Sequence, residues 1–169
     1  MEAKVAKLLN EQINKEMYSA YLYLDFSNYY EAAGLDGFSN WYRIQAKEEM
    51  DHAMLFYQYL QNNNQEVVLQ TVEKPDWKRG DNSTPLKLAL EHEIYVTSLI
   101  NRIYKAAYEA SDYRTMQVLD WFVKEQGEEE KTASDMITNM ELYGNDSKGL
   151  YMLNSELRDR TYTPASLVI

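Results

Sequence analysis

The chain contains no cysteine. Disulfides, iron–sulfur clusters and thiolate zinc sites all need that sulfur, so none of them can be built here. Proline and glycine are also scarce, with three and six in 169 residues. Both interrupt helices, so their scarcity suits long unbroken ones. No apolar run approaches the roughly 18 residues needed to span a bilayer. The N-terminal stretch MEAKVAKLLNEQINKE lacks the apolar core and cleavage site of a secretory signal. Together these absences predict a cytoplasmic location. Positive charge is the minority sign: 17 Lys and Arg stand against 27 Asp and Glu, a formal net charge of −10. Such a surface repels phosphate, which argues against nucleic acid as a partner, and it attracts cations.

What is present is a helical period along nearly the whole chain. The length suits one domain, and 45% hydrophobic with 26% charged residues is ordinary for a globular protein. The first helix, residues 3–33, carries the stripe Val5, Leu9, Ile13, Glu16, Ala20, Tyr23, Ser27, Tyr30 and meets Gly34 as terminator. The second begins near Asp36, a good N-cap residue, and runs to Asn63. Residues 65–83 are non-periodic. Thr84 then reads as an N-cap with Pro85 at the first helical position. A third helix follows over 85–110, with the stripe Leu86, Leu90, Glu93, Val96 or Thr97, Ile100. A fourth spans 113–143, striped Leu119, Phe122, Gln126, Glu129, Ala133, Met136, Met140. A short fifth helix covers 146–158, and residues 159–169 form a tail. Tight turns make hairpins of helices one and two and of helices three and four. The linker between the pairs, about 19 residues, is long enough to run the length of a bundle. The predicted fold is an all-α four-helix bundle with one long crossover and a short C-terminal helix.

The second helix places Trp41, Gln45, Glu49, His52, Phe56 and Tyr59 on one face. Glu49 and His52 are three apart and project from the same side. An unpaired carboxylate on an apolar face is expensive, and a metal ion is one of few things that compensate it. An isolated Glu-x-x-His is weak evidence for a metal. However, Glu16, Glu93 and Glu129 occupy the inner stripes of the other three helices, and Gln126 lies three residues before Glu129. Four carboxylates and one imidazole form a hard, oxygen-rich set that suits iron or manganese better than tetrahedral zinc. They also nearly balance two divalent ions. A second acidic group adjoins the first: Glu48, and Glu125, Glu128 and Glu129 on the fourth helix. It reads either as a solvated acidic surface or as a further cation site.

These residues resemble a known family. Glu16-Met17-Tyr18-Ser19-Ala20-Tyr21-Leu22-Tyr23 is similar to the first-helix motif of ferritins. Gly37-Phe38-Ser39-Asn40-Trp41, followed by Gln45-Ala46-Lys47-Glu48-Glu49-Met50-Asp51-His52-Ala53, is similar to their second. Glu91-His92-Glu93 and Trp121-Phe122-Val123-Lys124-Glu125-Gln126-Gly127-Glu128-Glu129-Glu130 resemble the third and fourth. The likeness covers residues 3–157 and is strongest to prokaryotic non-haem ferritins.

The resemblance implies a ferritin-like di-iron domain over 1–158 that oxidises Fe(II) to Fe(III) with O2 or H2O2 and stores ferric mineral. Glu16, Glu49 and His52 would hold one iron. Glu49, Glu93 and Glu129 would hold a second, with Gln126 beside them. Glu48, Glu125, Glu128 and Glu129 would hold a third. Tyr23 would hydrogen-bond near the irons and supply an electron, with Trp121 as a second candidate donor. The implied assembly is a homo-oligomeric hollow shell of 24 chains with the fifth helix at fourfold axes, carrying roughly −240 in total. Asp112 and Glu109 would lie near threefold channels. Hard carboxylates favour Fe(III), and a site with one imidazole and flexible carboxylates can release it, so iron is substrate here.

The rivals differ in ligands. A haem-binding bacterioferritin would use a methionine such as Met50, but this chain has Gln126-x-x-Glu129 where that family resembles Glu-x-x-His, so no haem is expected. A DNA-protecting mini-ferritin would lack the fifth helix. Di-iron oxygenases and rubrerythrins would show two Glu-x-x-His motifs. A metal-free structural bundle would be indifferent to loss of Glu49 or His52.

Overall fold

The computed structural model describes residues 1–169 and contains five helices and no strand. They are α1 (Ala3–Ala32), α2 (Asp36–Asn62), α3 (Thr84–Glu109), α4 (Tyr113–Tyr143) and α5 (Ser147–Arg158). α1 pairs with α2 and α3 with α4, and α5 packs against α2 and α4. No helix is long and apolar enough to cross a membrane.

Two of the helix ends follow from local chemistry. Gly34 takes φ +75°, and Leu35 N donates back to Tyr30 O at 2.9 Å, which closes α1. At the start of α4, Asp112 Oδ1 accepts from Thr115 N at 3.1 Å.

Asp36 does not cap α2. Leu35 precedes the helix and no local side chain bonds its first turn. Asn154 of α5 does the work instead: its Oδ1 accepts from Gly37 N at 2.8 Å and Phe38 N at 3.3 Å. Asp36, freed from capping, accepts from Asn154 Nδ2 and from both Arg158 Nε and Nη2. Thr84 is likewise inside α3 rather than its cap, with Pro85 in the first turn. Its hydroxyl donates to Asp81 Oδ1 at 3.1 Å.

The crossover lies along α1. Asn10 accepts from Val68 N at 2.8 Å, Asn14 donates to Thr71 O at 2.9 Å, and Asp25 accepts from Trp77 Nε1 at 2.7 Å. Tyr30 OH then donates to Asn82 O at 2.7 Å. The linker thus travels from Asn10 to Tyr30, about 30 Å at 1.5 Å per residue. That delivers α3 to the far end of the bundle, parallel to α2.

The core has two apolar parts. One contains Leu9, Ile13, Phe56, Leu60, Ile100 and Phe122. The other contains Phe26, Tyr30, Phe38, Tyr42, Leu86 and Met140. On α1 the buried Glu16 lies between them, as do Glu49 and His52 on α2 and Glu93 on α3. With the buried Gln126 on α4, the four helices carry a polar layer sandwiched between apolar ones. On α3 the inward stripe passes through Ala89 rather than Leu90, which is only partly buried.

The tail after α5 lies back over the bundle. Leu167 and Ile169 pack against the first apolar cluster, while Val168 is 92% exposed. Two of the three apolar tail residues thus use their own chain's core.

Candidate metal centre

Glu16 on α1 and Glu49 and His52 on α2 each offer a ligand atom, all within 4.8 Å of one another, and all three are buried. His52 Nδ1 is 3.5 Å from Glu49 Oε2. The other helices bring Glu93, 2% exposed, and Glu129, partly buried. A cavity of about 20 Å³ touches Tyr23, Gln45, Glu93 and Glu129. It has room for about one water-sized species.

Three of the four carboxylates, Glu16, Glu93 and Glu129, are held by neutral donors. Gln12 Nε2 donates to Glu16 Oε1 at 2.9 Å. Gln45 Nε2 donates to Glu129 Oε2 at 2.8 Å. Gln126 Nε2 donates to Glu93 Oε2 at 3.0 Å, and Tyr23 OH donates to Glu93 Oε1. Glu16 Oε2 is buried with no hydrogen-bond partner. A native structure rarely leaves a buried carboxylate oxygen so, and an ion is one way to satisfy it.

The electrostatics are those of crowded acids in a dry place. Burial, then the nearby Glu49, pushes Glu16 up to about 8. Burial and Glu93 raise Glu129 to about 8. Glu49 is pushed well above the carboxylate range by burial and by Glu93 and Glu129. Glu93 rises through burial. No lysine or arginine joins this inner group by hydrogen bond or ion pair, so protons or metal ions must balance it.

The four acids of the outer group are not gathered at one point. Glu48 and Glu125 line a common cleft with His52 and Trp121. Burial raises both carboxyls. Glu128 is exposed and pairs with Lys124 Nζ at 3.2 Å, and Glu129 turns inward to Gln45. Trp121 meets His52 edge-on, ring centroids 5.6 Å apart. Met50 is 41% exposed, outside the buried group. Asp112 spends both oxygens on Thr115, and Glu109 pairs with Lys4.

A family profile described as the ferritin-like domain matches residues 6–143. The chain belongs to the ferritin family. It is 35% identical over 159 residues to the bacterial non-heme ferritin of Campylobacter jejuni, covering 94% of this chain and 95% of that one. It is 33% identical over 157 residues to a probable bacterial non-heme ferritin-like protein of Haemophilus influenzae, covering 93% and 95%. An Archaeoglobus fulgidus ferritin engineered into a closed form superposes with a TM-score of 0.94 at 38% identity, covering 96% of this chain and 99% of that one.

Two further members of this ferritin's polar layer, Gln12 and Gln45, hold carboxylates although neither was expected at the metal centre. Gln12 is four residues before Glu16 and Gln45 four before Glu49, each one helical turn away on the same face. That spacing was the available signal. His92 follows a different logic. It bonds Ser19 Oγ at 2.8 Å among Tyr18, Tyr23 and Tyr95, and burial lowers it to about 4. Its neutral imidazole is a packing group behind Tyr23.

Proposed function

We propose that this ferritin is a ferroxidase that stores iron. The observation that carries the proposal is the buried Glu16–Glu49–His52 group, with Glu16 Oε2 lacking any partner. Glu16, Glu49 and His52 hold one Fe(II). Glu49 would also serve a second, held by Glu93 and Glu129, whose negative charges are close enough to raise its carboxyl. Each iron gives up one electron, and one O2 takes both and leaves with two protons as H2O2. The raised carboxyls enter this cycle protonated, so loading iron expels protons and the vacated carboxylates take them up again.

The neutral donors set geometry without competing for charge. Tyr23 and Gln126 fix the two oxygens of Glu93 from opposite sides, and Tyr23 is placed to pass an electron inward. Glu48 and Glu125, joined by Glu128 and Glu129 when they reorient, hold a third iron beside the pair. Ferric product collects as mineral inside a shell of 24 chains in the cytoplasm, and no haem takes part. The relatives' names, non-heme ferritins, support both the metal and the absence of haem.

The test is aerobic addition of Fe(II) with Fe(III) absorbance and particle mass followed together. Rapid oxidation and hundreds of irons retained per particle are expected. Glu49→Ala and His52→Ala should lose the rapid phase while still assembling. Equal rates in those variants would return the protein to the metal-free structural bundle.

A further inference from the structure

Residues 159–169 are anchored beside the metal centre at four places. Arg160 Nη2 donates to Glu48 Oε2 at 2.6 Å, with side chains only 20% and 18% exposed. The same guanidinium stacks 3.9 Å from the Trp41 ring centroid and donates to Trp41 O. Tyr162 OH donates to Asp51 Oδ2 at 2.5 Å. Trp121 Nε1 donates to Ser166 Oγ at 3.0 Å, and Leu167 and Ile169 seat in the core. Between Tyr162 and Leu167 the tail roofs a cleft of about 210 Å³, whose floor is Glu48, His52, Trp121 and Glu125. The roofed space therefore reaches His52, a member of the buried group, from the side of two half-buried acids.

We propose that this cleft is the passage for a hydrated divalent cation between Glu48 and the Glu49–His52 pair, and that Arg160 is its gate. The inference rests on the ferroxidase function proposed above. Glu48 and Glu125 form a partly desolvated acidic pair, and Arg160 neutralises one of them when no cation is present. A guanidinium carries one charge and cannot coordinate. A divalent ion bound by both carboxylates displaces it. Trp41, on which the guanidinium already stacks, retains it once Glu48 is taken, since a cation over an indole face is favourable. The gate thereby favours cations able to bind two carboxylates at once over monovalent ones, and it recloses when the passage empties.

The experiment titrates the assembled protein with Zn(II), which binds oxygen and imidazole ligands without redox chemistry. Calorimetry separates a tight class of sites from a weaker class, and crystals soaked in Zn(II) show where each lies. In Arg160→Ala the weaker class, at Glu48 and Glu125, should tighten about tenfold while the tight class stays unchanged. Arg160→Lys, which keeps the charge but loses the planar stack, should fall between and guards against misassembly of the alanine variant. In the wild-type crystal the guanidinium should leave Glu48 when Zn(II) occupies it. Equal weak-class affinity in all three proteins, or Zn(II) on Glu48 with Arg160 still bound there, overturns the gate. No Zn(II) at Glu16, Glu49 and His52 in any of them instead overturns the metal centre itself.

Discussion

Asn154 of α5 closes the first turn of α2 through the backbone N–H of Gly37, 117 residues away. The contact is close because Gly37 has no Cβ. One built there would lie 1.7 Å from Asn154 O. Gly37→Ala should therefore push α5 off α2, and this is a collision with backbone that no side-chain rotation relieves. Hydrogen exchange should show α5 amides losing protection before the rest of the bundle. Asn154→Ala keeps the space but leaves the α2 N–H groups unpaired, and should lower thermal stability by about 1–2 kcal/mol.

The metal-free protein should lose stability as pH rises. Glu16 and Glu129 have folded values near 8 against 4.5 for the free side chain. In that window the folded state binds more protons than the unfolded one, so stability present below about 4.5 is lost progressively up to about 8. One unit corresponds to about 1.4 kcal/mol per group, so the slope should be visible by thermal unfolding at pH 5 and pH 8. Glu16→Gln should flatten it. A melting temperature that rises across the same range would contradict the buried-acid account.

Metal should supply what protons supply at low pH. Zn(II) added at pH 7 should stabilise the fold and release protons, because the raised carboxyls must ionise to bind it. Calorimetry in two buffers of different ionisation enthalpy measures the count directly. Wild type should release about one more proton per chain than Glu16→Gln.

Tyr23→Phe separates orientation from ligation. It removes the hydroxyl that donates to Glu93 Oε1 and leaves Gln126 on Oε2. Fe(II) should still bind, while oxidation slows about tenfold or less, well short of the loss expected for Glu49→Ala. Full wild-type rates would remove Tyr23 from the mechanism.

Asp112→Ala is a poor probe of a cation channel, and the reason is structural. Asp112 Oδ1 and Oδ2 both serve Thr115, through its backbone N–H and its hydroxyl. The variant should cost about 1 kcal/mol as a lost helix cap whatever it does to iron uptake. Asp112→Asn, which keeps a capping oxygen and drops the charge, is the cleaner variant. Slower uptake with an unchanged melting temperature would assign Asp112 to a channel.

Helix extents and the inward carboxylates were legible in the residues because both are periodic. Glu16, Glu49 and Glu93 fall on stripes that repeat every 3.6 residues, and burial of that face follows from the neighbours on it. The long crossover was legible as a gap in the same period. Capping at Asp36 was misjudged because a capping residue reports only a local opportunity. The tertiary structure gave that turn to Asn154 and gave Asp36 to Arg158.

The sequence by itself determined an all-α bundle with a buried acidic layer, since local period and the expense of burying charge need no knowledge of distant partners. Only the tertiary structure decided what stands over that layer. Arg160 meets Glu48 across 112 residues, and the tail roofs the cleft to His52. No period links such positions. Contacts of that span are set by how α5 docks on α2, which depends on Gly37 and Asn154 fitting together, and that fit exists only once the bundle has formed.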